Sequence, residues 1–151
     1  MTMLFGTHRA PFKILLSLVC VVLLLFPHFA AAEEVKARFK NLNVNANLEL
    51  AEGKRLEDGV ILITHALIQH NRMEIIRTMQ ALLKEHGHSS LAINYSLNVD
   101  DRHGMFSCMS PHRHLREAAW EEIGFWVGWL KERGVSKIVL AGHSSLSLIH
   151  I

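Results

Sequence analysis

Cysteine and proline are scarce in this chain, at two Cys and three Pro among 151 residues, and tyrosine occurs once. Two thiols, Cys20 and Cys108, cannot build a disulfide framework of the kind that staples small secreted domains. The few prolines and nine glycines mark turns rather than a linker, and neither repeats nor low-complexity tracts interrupt the chain. A cluster of Lys and Arg is also missing. The formal net charge is +2, from 16 basic and 14 acidic residues, and the excess is carried by Arg9 and Lys13 within the first 32 residues, which hold no acid. The rest of the chain is formally neutral. Phosphate binding depends on concentrated positive charge, so nucleic acid is not expected as a partner.

The one long apolar run lies at the start. Ile14 to Phe26 is apolar apart from Ser17 and Cys20. It follows the basic pair Arg9 and Lys13 and precedes the small residues Ala30-Ala31-Ala32, the three-part pattern of a secretory signal peptide cleaved before Glu33. The run is shorter than the roughly 20 residues a spanning helix needs. Ser17-Leu18-Val19 also lacks the small residue expected before a lipidated cysteine. The organisation expected is therefore a signal peptide at 1–32 and a single domain after it, periplasmic or secreted, that meets a membrane only during export.

Beyond residue 32 the hydrophobic pattern changes period. Val35, Ala37 and Phe39, then Leu42, Val44 and Ala46, alternate as half-exposed antiparallel strands do, with a turn expected around Asn41 to Asn45. Val60 to Ile63 is continuously apolar, as in a strand covered by helices on both sides. Residues 71 to 86 read as an amphipathic helix with Met73, Ile76, Met79, Ala81, Leu82 and Leu83 on one face. Asn71 and Glu74 are spaced like a capping box at its start, and Gly87 stops it. Leu91-Ala92-Ile93 centres a second core strand. A polar loop follows, and Ser110-Pro111 is a good N-cap and first-turn pair. Leu115, Ala118, Ala119, Ile123, Trp126, Val127 and Leu130 then form an apolar stripe, with Gly124 and Gly128 expected to thin the helix at a crossing. Ile138-Val139-Leu140 is the third core strand. Alternating strands and helices in this order predict an α/β fold with a mostly parallel sheet, flanking helices and an N-terminal antiparallel hairpin.

Lys137 to Ser145, reading Lys-Ile-Val-Leu-Ala-Gly-His-Ser-Ser, runs from a buried strand into a sharp turn. Together with Thr64-His65-Ala66-Leu67 after the first core strand, it resembles the alpha/beta-hydrolase superfamily over roughly residues 59–145. In that fold a G-x-S-x-G elbow projects a nucleophilic serine at the sheet edge. Gly142, His143 and Ser144 fill its first three places, and Leu146 departs from the last. Residues 146–151 resemble one reading frame of a transposase mosaic-end adapter used in sequencing libraries. They are expected to be a non-native tail on a partial hydrolase domain at 33–145, the N-terminal half of the fold.

The resemblance implies an exported serine hydrolase acting on a carboxylic ester or similar acyl compound, with Ser144 as nucleophile. The oxyanion would be bound by the backbone amide of Ser145 and by that of Leu67, with Ala66 as the alternative, and His65 would support the loop. The catalytic acid and histidine follow the serine in this fold, so the fragment is expected to be inactive. No cofactor is implied. Cys108, His112 and His114, with His103, Asp100 and Asp101 nearby, are metal-capable residue types, but their spacing matches no closed zinc pattern. The expectation is a polar surface loop and no metal. Asp100-Asp101-Arg102 reads as a solvated turn, and Trp120, Trp126 and Trp129 as core or helix-packing residues. A noncatalytic exported binding or envelope protein on the same sheet is the alternative.

Sequencing the N-terminus of the exported protein is expected to read from Glu33; a product that still begins at Met1 would remove the signal-peptide assignment.

Overall fold

The computed structural model describes residues 32–66, 68–107 and 116–143. Its elements are β1 (Glu33–Phe39), β2 (Leu42–Glu49), β3 (Val60–Thr64), α1 (Glu74–Glu85), β4 (Ser90–Asn94), α2 (Arg116–Glu132) and β5 (Ile138–Gly142). One five-stranded sheet forms in the order β1-β2-β4-β3-β5. β2 runs antiparallel to β1 and β4, whereas β3 is parallel to both β4 and β5. The expected mixed sheet, with its N-terminal hairpin and parallel core, is what forms.

Strand periodicity sorts the core into two layers. On one side Val44, Ala46, Leu48, Val60, Leu62, Leu91 and Ile93 pack with Ala119, Trp126 and Leu130 of α2. Ile63 and Ala92 face the other way and meet Ile76, Met79 and Leu83 of α1. The helices therefore cover opposite faces, which is why β3 and β4 read as unbroken apolar runs. Entry into β3 requires glycine. Gly59 has φ +126, and a Cβ there would stand 3.3 Å from Lys137 Cβ, beside the Val60 amide that donates to the Lys137 carbonyl at 3.0 Å. An L side chain would meet both strain and a neighbour.

Several local expectations are corrected. The hairpin turns at Lys40 and Asn41, earlier than expected, with Lys40 at φ +54. Asn43 and Asn45 lie inside β2, where the loop after β4 satisfies their side chains instead of a turn. β2 is also mostly buried rather than half-exposed. Helix α1 starts at Glu74 with Met73 as its N-cap and no side-chain cap. Asn71 is buried instead and donates to the Ala92 carbonyl at 3.2 Å. Ala81 and Leu82 face solvent, and Gln80 takes the inward position, exchanging hydrogen bonds with Asn47 and donating to Ser90 Oγ. A buried amide pair on facing elements is satisfied, so it substitutes for apolar contact.

On α2 the stripe holds at Ala119, Trp126 and Leu130, whereas Ala118 and Trp120 are exposed. Glu122 is buried on the same helix. A Cβ at Gly124 or Gly128 would meet nothing within 4 Å, so neither glycine marks a close crossing among the described residues. The expected cap at Ser110-Pro111 and the stripe residue Leu115 lie outside the described residues, as do the signal peptide through residue 31 and the tail.

Leu62 is fully buried and Ile75 about half exposed. Leu62→Ala is expected to cost about 2–5 kcal/mol in denaturant unfolding, and Ile75→Ala no more than about 0.5 kcal/mol.

Candidate active site

The parallel pairing of β3 with β5 brings the carboxyl ends of the two strands together. Thr64 is in register with Gly142, and the His143 amide extends the ladder by donating to the Thr64 carbonyl at 3.0 Å. His65 and His143 therefore follow the two strands at the sheet's carboxyl edge. In open α/β sheets that edge, beyond the carboxyl ends of the strands, is where ligands bind. Of the residues expected to form the site, His65 and Ala66 are described and fall at this edge. Ser144, Ser145 and Leu67 lie outside the described residues.

His65 is 1% exposed and both its ring nitrogens are engaged. The Tyr95 amide donates to Nε2 at 3.2 Å, so Nε2 carries a lone pair. Nδ1 then holds the proton and donates to the Ala66 carbonyl at 2.7 Å. The Gln69 amide also donates to that carbonyl, at 3.0 Å, so the peptide that begins at Ala66 is fixed in orientation. Ala66 is not among the residues with positive φ, and the turn is made without the left-handed conformation that a glycine would permit. Burial pushes the His65 pKa down to about 4, with the charge of Arg102 acting in the same direction. The imidazole is neutral at pH 7. With Nε2 already accepting, it has no free lone pair to take a proton from serine.

The loop after β4 departs from expectation most. Arg102 is 6% exposed rather than part of a solvated turn. Its Nε donates to the Tyr95 carbonyl at 2.6 Å and its Nη1 to the Gly104 carbonyl at 2.7 Å. Nη2 reaches Asn94 Oδ1 at 2.7 Å, the Gln69 carbonyl at 3.0 Å and His65 Nε2 at 3.3 Å. The Arg102 carbonyl is held in turn by the side-chain amides of Asn45 and Asn94. Burial lowers the guanidinium pKa to about 10, which still leaves it charged at neutral pH.

Further contacts bind the same loop on either side of Arg102. Ser96 donates through its amide and hydroxyl to the buried carboxylate of Glu122, whose pKa burial raises. Asp100 accepts from the Asn43 amide at 2.6 Å, and the Asp101 amide donates to the Asn43 carbonyl at 2.9 Å. The Phe106 amide donates to the Ile68 carbonyl at 2.9 Å. Between these ties Leu97, Asn98 and Asp101 hold positive φ, a strained backbone that persists only where contacts over-determine it. The sequence does carry a signal for this arrangement: Asn43, Asn45 and Asn47 put a row of asparagines on alternate positions of β2.

Metal-capable atoms of Glu34, Asp101 and His103 lie within 4.8 Å of one another. Both carboxylates already have cationic partners, since Lys36 Nζ stands 2.7 Å from Asp101 and 3.7 Å from Glu34, and Arg72 pairs with Glu34. A metal ion would have to displace Lys36. Asp100 points instead to Asn43, and Cys108, His112 and His114 lie outside the described residues. A groove of about 770 Å³ lies beside Asn47 and Arg77, and a hollow of about 350 Å³ beside Lys54, Val60 and Lys137 sits at the amino ends of β3 and β5, the opposite end from Thr64 and Gly142.

Strand order and the likeness to solved structures define the fold: the chain carries part of an alpha/beta-hydrolase fold. Among similar solved structures are Est1E from Butyrivibrio proteoclasticus, 20% identical over 74% of this chain and 40% of that one with a TM-score of 0.58, and an alpha-beta serine hydrolase homologue from Coxiella burnetii, 14% identical over 74% and 51% with a TM-score of 0.57. An esterase from Pyrococcus furiosus is 15% identical over 74% and 41%, with a TM-score of 0.56. The chain spans about two-fifths to one half of the length of these structures. No protein-family model and no curated protein matches the sequence.

The His65 ring generates a pH dependence. Its folded pKa, at about 4, is below the ordinary 6.5, so between those values the unfolded chain binds more protons and stability falls as pH falls. Glu122, with its raised pKa, acts in the opposite sense. Compared with His65→Gln, the wild type is expected to lose about 2 kcal/mol more unfolding free energy between pH 7 and pH 5; equal losses in the two proteins would show that the ring is not held neutral.

Proposed function

We propose that this chain belongs to an exported, periplasmic or secreted, serine hydrolase that cleaves a carboxylic ester or a similar small acyl compound. The observation that carries the reading is the register of β5 on β3. Thr64 stands opposite Gly142, and the His143 amide donates to the Thr64 carbonyl, so Gly142 and His143 lie beside Thr64 and His65. Ser144, which follows His143 directly, is the nucleophile.

Its Oγ attacks the acyl carbon and its proton passes to a histidine, which this fold supplies later in the chain together with an orienting acid. The carbonyl oxygen gains the negative charge. The amide of Ser145 donates to it, and the second donor is the amide of Leu67, or of Ala66 as the alternative. The Ala66 carbonyl, which precedes the Leu67 amide, is held by His65 and Gln69. The tetrahedral adduct expels the alcohol, protonated by the histidine, and water then releases the acid from the acyl-serine.

Two things support the substrate class. Esterases are among the similar structures, and the Butyrivibrio protein is seen with ferulic acid bound. Export is supported by the N-terminal pattern alone.

In a protein carrying the complete hydrolase domain, Ser144→Ala is expected to lower hydrolysis of a short-chain aryl ester by about 10³-fold or more and to abolish labelling by a fluorophosphonate. Undiminished hydrolysis would refute the nucleophile assignment.

A further inference from the structure

Arg102 is a buried cation with no carboxylate in hydrogen-bond reach; each of its partners is a carbonyl, an amide oxygen or an imidazole nitrogen. A charge taken out of water is retained only where its partners are well placed. The acceptors it holds belong to two different turns, Gln69 and His65 after β3, and Tyr95 and Gly104 after β4. Both turns border the β3–β5 edge.

The arrangement around His65 explains why an arginine matters there. Asn94 Oδ1 stands 3.1 Å from His65 Nε2, close enough to accept a proton from it. A ring with protons on both nitrogens would donate one to Ala66 and the other to Asn94. Against that form stand the Tyr95 amide, which donates to Nε2, and Arg102, whose Nη2 donates to Asn94 Oδ1 at 2.7 Å and lies 3.3 Å from Nε2. A positive charge thus faces the ring. His70 is the other titratable group acting on the ring electrostatically, and Tyr95 meets it edge-on with ring centroids 5.1 Å apart. The neutral, Nδ1-protonated imidazole is the form left, and that form holds the Ala66 carbonyl.

We propose that Arg102 is a positioning residue of the site: by setting its charge against His65 and grasping the Gln69 carbonyl, it keeps the imidazole in the form that holds the Ala66 carbonyl, on which the oxyanion-binding amide of the proposed mechanism depends. The inference rests on the hydrolase reading for its catalytic consequence, though not for its geometry. Lysine could keep the charge, but a single ammonium cannot reach Tyr95, Gly104, Gln69 and Asn94 together.

Nitrogen NMR of the histidine-labelled wild type, in the ester-hydrolysing protein used to test Ser144, is expected to show His65 Nδ1 protonated and Nε2 unprotonated at pH 7. Protonated Nε2 in the wild type would overturn the proposal, whether or not any variant folds. For Arg102→Lys the expectation is a fall in kcat of about a hundredfold, the scale of losing or misplacing an oxyanion donor, with KM within about threefold of wild type. The His65 Nε2 nitrogen shift should move in the same variant as the Arg102 contact is lost. An unchanged kcat per folded molecule together with an unchanged His65 spectrum would make Arg102 merely structural and end the proposal. If Ser144→Ala hydrolyses as well as wild type, the hydrolase reading fails separately, and the His65 spectrum of Arg102→Lys still decides the positioning.

Discussion

Strand β3 is the constraint on which the rest of the structure depends. Val60 and Leu62 are buried on one side and Ile63 on the other, and β4 and β5 pair with its two edges. A slip of one residue would exchange the faces of these side chains. It would present Ile63 to Trp126 and Leu130 and turn Leu62 toward α1. The hydrophobic layers therefore hold the register, and the register places Gly142 opposite Thr64. The meeting of Thr64 and Gly142 at the carboxyl edge is a consequence of packing below it.

Above that apolar body lies a polar layer with different energetics. Asn45, Asn94, His65, Arg102, Ser96 and Glu122 are each less than a tenth exposed, and an unpartnered group among them would cost about 1–3 kcal/mol. Their mutual hydrogen bonds tie the hairpin, the turn after β3, the loop after β4 and helix α2 together. Shape in an apolar layer tolerates substitution of similar volume, whereas a network of this kind is satisfied in one arrangement only. The strained residues Leu97, Asn98 and Asp101 are found within this layer. Contacts on either side hold them there.

Most of the scaffold was legible in the residues. Val60 to Ile63 and Leu91 to Ile93 declared strands buried on both faces, and the spacing of Ala119, Trp126 and Leu130 declared the face of α2. Helix boundaries and the hairpin turn were less so. Asparagine favours turns and caps when its side chain bonds nearby backbone, yet Asn43, Asn45 and Asn71 bond to groups far along the chain. The same difficulty hid Arg102. In Asp-Asp-Arg-His-Gly the local composition is that of a solvated turn, and nothing within a few residues reveals the carbonyls of Gln69 and Tyr95 that await a guanidinium.

Sequence alone determined the alternation of strands and helices and the parallel core behind an antiparallel hairpin, because periodicity is a local property of the chain. Only the tertiary structure decided that Arg102 and Glu122 lie inside, that His65 stays neutral with its proton on Nδ1, and that Thr64 stands opposite Gly142 at the sheet edge. Those outcomes depend on partners dozens of residues away, and a buried polar group takes its meaning from whichever partners the fold brings within hydrogen-bond reach.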